Sequence, residues 1–161
     1  MDTSLVNQWQ KGVRLRHISH NRAASSFKTK YQRLGVVTTV LSTLAASSIF
    51  ASFADSEKIV WLITAGIISI LTAVVNAINT FLSYGELAEK HRQAANGYGE
   101  LRRFFETETL DAESLALDEL KELLEIFNQK LSELEKSVPE IPQKLYNTVK
   151  KELDRKKTKA S

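Results

Sequence analysis

The sequence predicts an all-α membrane protein. It is expected to be a two-span transmembrane helical hairpin with long cytoplasmic N-terminal and C-terminal helices, assembled as an oligomer. Three observations carry this. The 161 residues include 22 Lys or Arg and 19 Asp or Glu, yet none of these falls in Leu34–Phe53 or in Ile59–Tyr84. Only Ala54, Asp55, Ser56, Glu57 and Lys58 separate the two uncharged runs. Two prolines and six glycines are too few to interrupt long helices often. The mean hydropathy of −0.21 averages over this segregation and describes neither part.

As a helix rising about 1.5 Å per residue, Leu34–Phe53 extends roughly 30 Å, which matches a hydrocarbon core about 30 Å thick. Ile59–Tyr84 extends roughly 39 Å, enough to cross with tilt or to emerge as an ordered helix. The turn between them is too short for a domain, so the spans are antiparallel neighbours. Two other readings compete. A signal peptide cleaved near Ser52-Phe53-Ala54 fits poorly with a long charged leader and a second span that follows at once. A buried hairpin inside a soluble oligomer is the other, since the first run is rich in Ser, Thr and Ala.

Orientation follows from the basic residues beside the spans. Lys11, Arg14, Arg16, Arg22, Lys28, Lys30 and Arg33 precede the first span, with Asp2 as the single acid there. The turn has Lys58, and Lys90, Arg92, Arg102 and Arg103 follow the second span. Both ends are therefore expected in the cytoplasm and the turn outside, in a multi-pass membrane protein.

Lipid gives helices no hydrophobic reason to associate, so small and polar residues take that role. The first span has a small residue at every fourth position, Gly35, Thr39, Thr43, Ser47 and Ala51, a candidate packing ladder. Thr38, Ser42 and Ser48 add hydroxyls nearby. The second span carries a stripe at steps of three and four, Ser69, Thr72, Asn76, Asn79 and Ser83, bordered by Thr80. A hydroxyl can satisfy itself on its own helix, but asparagine does so less easily and should face protein or water. Two readings stand: these residues line a polar pore, or they are hydrogen-bonding glue between helices. One hairpin cannot enclose a pore, so the first reading needs a homo-oligomer.

Residues 4–33 read as a helix leading into the first span, with Asp2, Thr3 and Ser4 as caps. Leu5, Trp9, Val13, Ala24, Phe27 and Tyr31 fall near one side of it. The aromatic residues either lie at lipid headgroups or pack on the helix after the second span. That helix is expected from about Glu86 to Glu106, with Leu87, His91, Ala94, Ala95, Tyr98, Leu101 and Phe105 as its apolar side and Gly97 and Gly99 weakening its middle. An acidic helix follows from about Ala112 to Ser137. Its Leu117, Leu120, Leu124, Phe127, Leu131 and Leu134 form a candidate oligomerisation seam with heptad spacing. The alternative is that this seam folds back on a neighbouring helix. Pro139 and Pro142 end it. A short last helix has Ile141, Leu145, Val149 and Leu153 on one side, and its basic tail either binds membrane phosphates or is solvated. The expected division is 1–110 for the two-span domain and 111–161 for the heptad helix and basic tail.

Catalytic chemistry is not legible. The chain has no cysteine and three histidines, of which His17 and His20 share a helix face without an acid nearby, so no metal site is expected. No phosphate loop or nucleophile motif is present, the spans hold no ionisable group for a proton relay, and no nucleic-acid platform is seen. The sequence points to a non-enzyme without cofactor.

One set of features resembles a known family. Trp9, Arg14 and His17 lie in a basic leading helix, and Tyr31-Gln32-Arg33 precedes the first span. The turn is short. Glu89, His91 and Arg92 lie in Ala88-Glu89-Lys90-His91-Arg92-Gln93-Ala94-Ala95, followed by Tyr98 and Leu101-Arg102. Over roughly residues 9–107 this is similar to the SLATT family of bacterial conflict systems. The resemblance implies a pore-forming or membrane-disrupting effector in a nucleotide-signal-linked antiviral defence system. It also implies, as trigger, a nucleotide second messenger or a cytoplasmic sensor protein. The competing reading is a non-conducting membrane anchor that recruits a cytoplasmic partner through its C-terminal helices.

Overall fold

The structure, a computed structural model, describes residues 3–54, 58–108 and 117–160. Five helices account for nearly all of them: α1 (Thr3–Ala54), α2 (Lys58–Leu82), α3 (Tyr84–Glu108), α4 (Leu117–Ser137) and α5 (Gln143–Ala160), with no strand among the described residues. The leading helix and first span are thus one unbroken helix of 52 residues. The cap Asp2, the turn residues Asp55–Glu57 and the boundary expected at 110/111 lie outside the described residues. The chain divides into two compact units, Ser26–Glu86 and Met1–Ser25 with Leu87–Ser161.

In the first unit α1 and α2 form the hairpin. The residues of α1 that lose solvent include Thr38, Ala45, Ser48 and Ser52, and those of α2 include Ala65, Thr72 and Asn79. With Leu41, Ile68 and Val75, which also lose solvent, both series step by three and four, so each helix offers one stripe to the other. Among the described residues, the large exposed hydrophobics except Tyr31 and Ile126 lie between Val36 and Phe81. The most apolar windows of the two helices are only 11% and 6% buried. A soluble core helix would hide such a surface, whereas lipid accommodates it. The two helices are membrane spans.

The second span ends two residues before the uncharged run does. Ser83 takes a positive φ of 44°. Its N–H donates to the Asn79 carbonyl at 3.1 Å and its hydroxyl donates to the Thr80 carbonyl at 3.0 Å. This left-handed residue closes α2 and lets α3 begin at Tyr84.

The second unit is a bundle of the N-terminal part of α1 with α3, α4 and α5. Val13, Tyr98, Leu101, Phe105 and Phe127 form its core, and Trp9, Leu124, Leu131, Leu134 and Val138 pack against them. The seam of α4 is therefore folded back within the chain at Leu124, Phe127, Leu131 and Leu134. The side chains of Leu117 and Leu120 lie outside those described. Phe127 is fully buried, its ring centroid 4.4 Å from that of Phe105 and 5.1 Å from that of Trp9. Trp9 thus packs inside the bundle rather than facing outward. α3 runs unbroken through Gly97, where a Cβ would come within 2.8 Å of a Leu134 methyl, so glycine here allows α4 its close approach. Arg16 meets Glu135 at 2.8 Å and ties α4 to α1. The Pro142 carbonyl accepts the N–H groups of Leu145 and Tyr146 and opens α5, which at 18 residues is longer than expected.

Candidate functional site

The polar stripe of α2 does not sit on one side of the hairpin contact. Thr72 and Asn79 lie seven residues apart and fall together on the half-buried side. Ser69 and Asn76 run along one edge of that side and are exposed. Thr72 donates to the Ile68 carbonyl at 2.8 Å, so its hydroxyl is satisfied on its own helix. Asn76 accepts from Thr38 at 3.3 Å, a side-chain bond between the two spans. The carboxamide oxygen of Asn79 is buried and has no hydrogen-bond partner among the described residues. Ser83, the last of the stripe, is the exposed residue that closes α2.

The small-residue ladder of α1 lies elsewhere than the hairpin contact. Gly35, Thr39, Thr43 and Ser47 are exposed and Ala51 is half-buried. Each step of four residues advances about 40° around a helix, so the ladder winds as an inclined ridge rather than a straight face. Thr39 donates to the Gly35 carbonyl and Thr43 to the Thr39 carbonyl, both at 2.9 Å. A Cβ added at Gly35 would meet nothing within 4 Å. The ridge is thus a smooth surface whose threonine hydroxyls are satisfied on their own helix, while the α1 side that meets α2 is built from Thr38, Ala45, Ser48 and Ser52.

The residues that carry the family likeness split by face. Glu89 and Arg92 form an exposed ion pair at 2.9 Å, joined by Gln93 at 3.2 Å; the Arg92 hydrogen bond holds the Glu89 carboxyl below its usual range. Arg33 is exposed, and the Tyr31 ring lies over Gly85, 3.4 Å from where a Cβ would stand. On the buried face, His91 and His20 approach Nδ1 to Nδ1 at 3.0 Å, and Tyr98 stacks on His20 with centroids 5.3 Å apart. One proton between two ring nitrogens requires one imidazole to donate and the other to accept. Burial, then the neighbouring His91 and Arg16, push the His20 imidazole down to about 4. Burial lowers His91 as well, and burial with Arg102 and Arg103 lowers His17. Burial likewise raises the Tyr98 phenol. The group is a neutral polar clasp between α1 and α3.

Sequence reasoning paired His17 with His20 and missed His91 as the partner. The signal was present, because Val13, His20 and Phe27 recur at sevens on α1 and His91 stands on the apolar side of α3. Among the described residues no cluster of three or more His, Cys, Asp or Glu is placed to hold a metal ion.

The model of one family, the SMODS and SLOG-associating 2TM effector domain family 4, matches residues 5–160. The likeness therefore extends well beyond residues 9–107 and takes in α4 and α5, which the sequence reading had left outside it. No curated protein and no solved structure matches the chain. With nearly the whole chain covered and two lipid-suited spans in one hairpin, the protein belongs to the SMODS and SLOG-associating two-transmembrane effector family, as a membrane effector domain of conflict systems.

Proposed function

We propose that the protein is an oligomeric, pore-forming effector of a bacterial nucleotide-signal-linked defence system. It resides in the inner membrane with both termini in the cytoplasm. Copies of α2 surround the path with the edge that carries Ser69 and Asn76, and the ridge from Gly35 to Ala51 packs copies together. Opening dissipates ion gradients and arrests the host cell.

The observation that carries the reading is the carboxamide of Asn76, exposed within the second span beside the exposed Ser69. A polar amide facing lipid costs on the order of 1–3 kcal/mol, and water in a path or a second copy relieves it. A mere anchor needs neither asparagine. The adaptor reading relies on the α4 seam to recruit a partner, and that seam is largely occupied by the chain's own core.

The absence of cysteine makes a direct test available. Asn76→Cys and, as a lipid-facing control, Val74→Cys are expressed in cells carrying a potential-sensitive dye. A membrane-impermeant cationic thiol reagent is expected to block depolarisation by Asn76→Cys and to leave Val74→Cys unchanged. Equal insensitivity of both would favour packing, and unchanged potential under every trigger condition would favour the anchor.

A further inference from the structure

The bundle contains a cavity of about 500 Å³ between the N-terminal part of α1 and α5. That volume lies within the usual range of small-molecule sites, roughly 300–1,000 Å³. Its rim carries Lys11, Arg14, Lys150 and Lys156. Asp154 is the single acid on it among the described residues. Leu15 and Leu153, with the aliphatic stems of the lysines, make an apolar floor. The other acid of α5, Glu152, is held by Arg22 in a two-pronged pair, 2.9 Å on one arm, which fixes α5 against α1 beside the cavity.

The basic side chains outnumber the carboxylate around this concavity, so it attracts anions. Arginine grips phosphate with a planar fork and lysine adds point charge. The apolar floor suits a ligand that has a carbon-rich body beside its phosphates.

We infer that this cavity binds a phosphorylated small amphiphile, with Arg14, Lys150 and Lys156 on the phosphates and Leu15 and Leu153 under the apolar part. Two sources share that chemistry: a soluble phosphorylated metabolite and the headgroup region of an anionic phospholipid. The site is independent of whether the hairpin conducts, because it is read by binding alone.

The test uses the full chain in lipid nanodiscs, with melting temperature as the readout. Adenosine diphosphate in phosphatidylcholine discs is the soluble probe, and replacement of phosphatidylcholine by phosphatidylglycerol is the lipid probe. A rise with the nucleotide assigns a soluble ligand; a rise only with phosphatidylglycerol assigns the headgroup. Either result supports the site, provided that Arg14→Gln with Lys150→Gln abolishes the rise or weakens binding by about tenfold or more. Without ligand that double variant is expected to melt close to the parent, since both side chains are exposed. Should it melt lower, the single variants Arg14→Gln and Lys156→Gln are read by the same criterion. The control Lys136→Gln with Lys144→Gln removes two exposed lysines outside the cavity and is expected to keep the rise. No rise with either probe, or equal loss in the control, overturns the inference.

Discussion

His20 and His91 meet Nδ1 to Nδ1 at 3.0 Å inside the bundle, and the burial of the pair makes stability depend on pH. Both rings, and His17, have their affinity for a second proton lowered in the fold, His20 to about 4. The unfolded chain, with ordinary histidines near 6.5, binds more protons between those values. Stability is therefore complete above about pH 6.5 and is lost as pH falls toward 4. Arg16, itself paired with Glu135, together with Arg102 and Arg103, opposes any added charge nearby. Thermal unfolding between pH 7.5 and 5 is expected to show a falling melting temperature. The double variant His20→Leu with His91→Leu is expected to lose most of that slope; an unchanged slope in it would remove the pair as the cause. At this scale the sequence was only partly legible. His91 was readable as part of an apolar face, but the partner of a buried polar group depends on which helices meet, and local spacing does not report that.

The elements were more legible than their contacts. Uncharged length identified both spans, and Pro139 and Pro142 marked the end of α4, because charge and proline act locally on helix and membrane compatibility. The break at Ser83 carried no sequence mark, since a serine in the left-handed region is chosen by its surroundings. Ser83→Gly is expected to keep the fold and to stabilise it by up to about 1 kcal/mol, whereas Ser83→Val is expected to lower the melting temperature. The heptad of α4 suited either a partner helix or the chain's own bundle, and Phe127 lies in the latter with no exposed surface. Phe127→Ala should cost about 3–5 kcal/mol of bundle stability. The neighbouring Ile126→Ala, at a site 40% exposed, should cost about 0.5 kcal/mol or less. Denaturant unfolding of the two variants compares them, and equal costs would contradict the packing described for α4.

At the scale of the molecule, a hairpin with an exposed apolar girdle, a polar edge on α2 and a smooth ridge on α1 is suited to association in the membrane. The all-α class and the two-span hairpin follow from the segregation of charge, so they were readable in the sequence. The occupied side of each span was not, because the ladder at every fourth residue and the stripe at three-four spacing both look like contact surfaces in one dimension. The stripe of α2 shares residues with the hairpin contact, at Thr72, Asn76 and Asn79, while the ridge of α1 from Gly35 to Ser47 is exposed. The most direct test of conduction is potassium efflux from liposomes that contain the purified chain at increasing protein-to-lipid ratio. An oligomeric pore predicts efflux that rises more steeply than in proportion to protein, and that Asn76→Leu with Asn79→Leu abolishes. Tight liposomes at every ratio, with the chain monomeric in detergent, would contradict it.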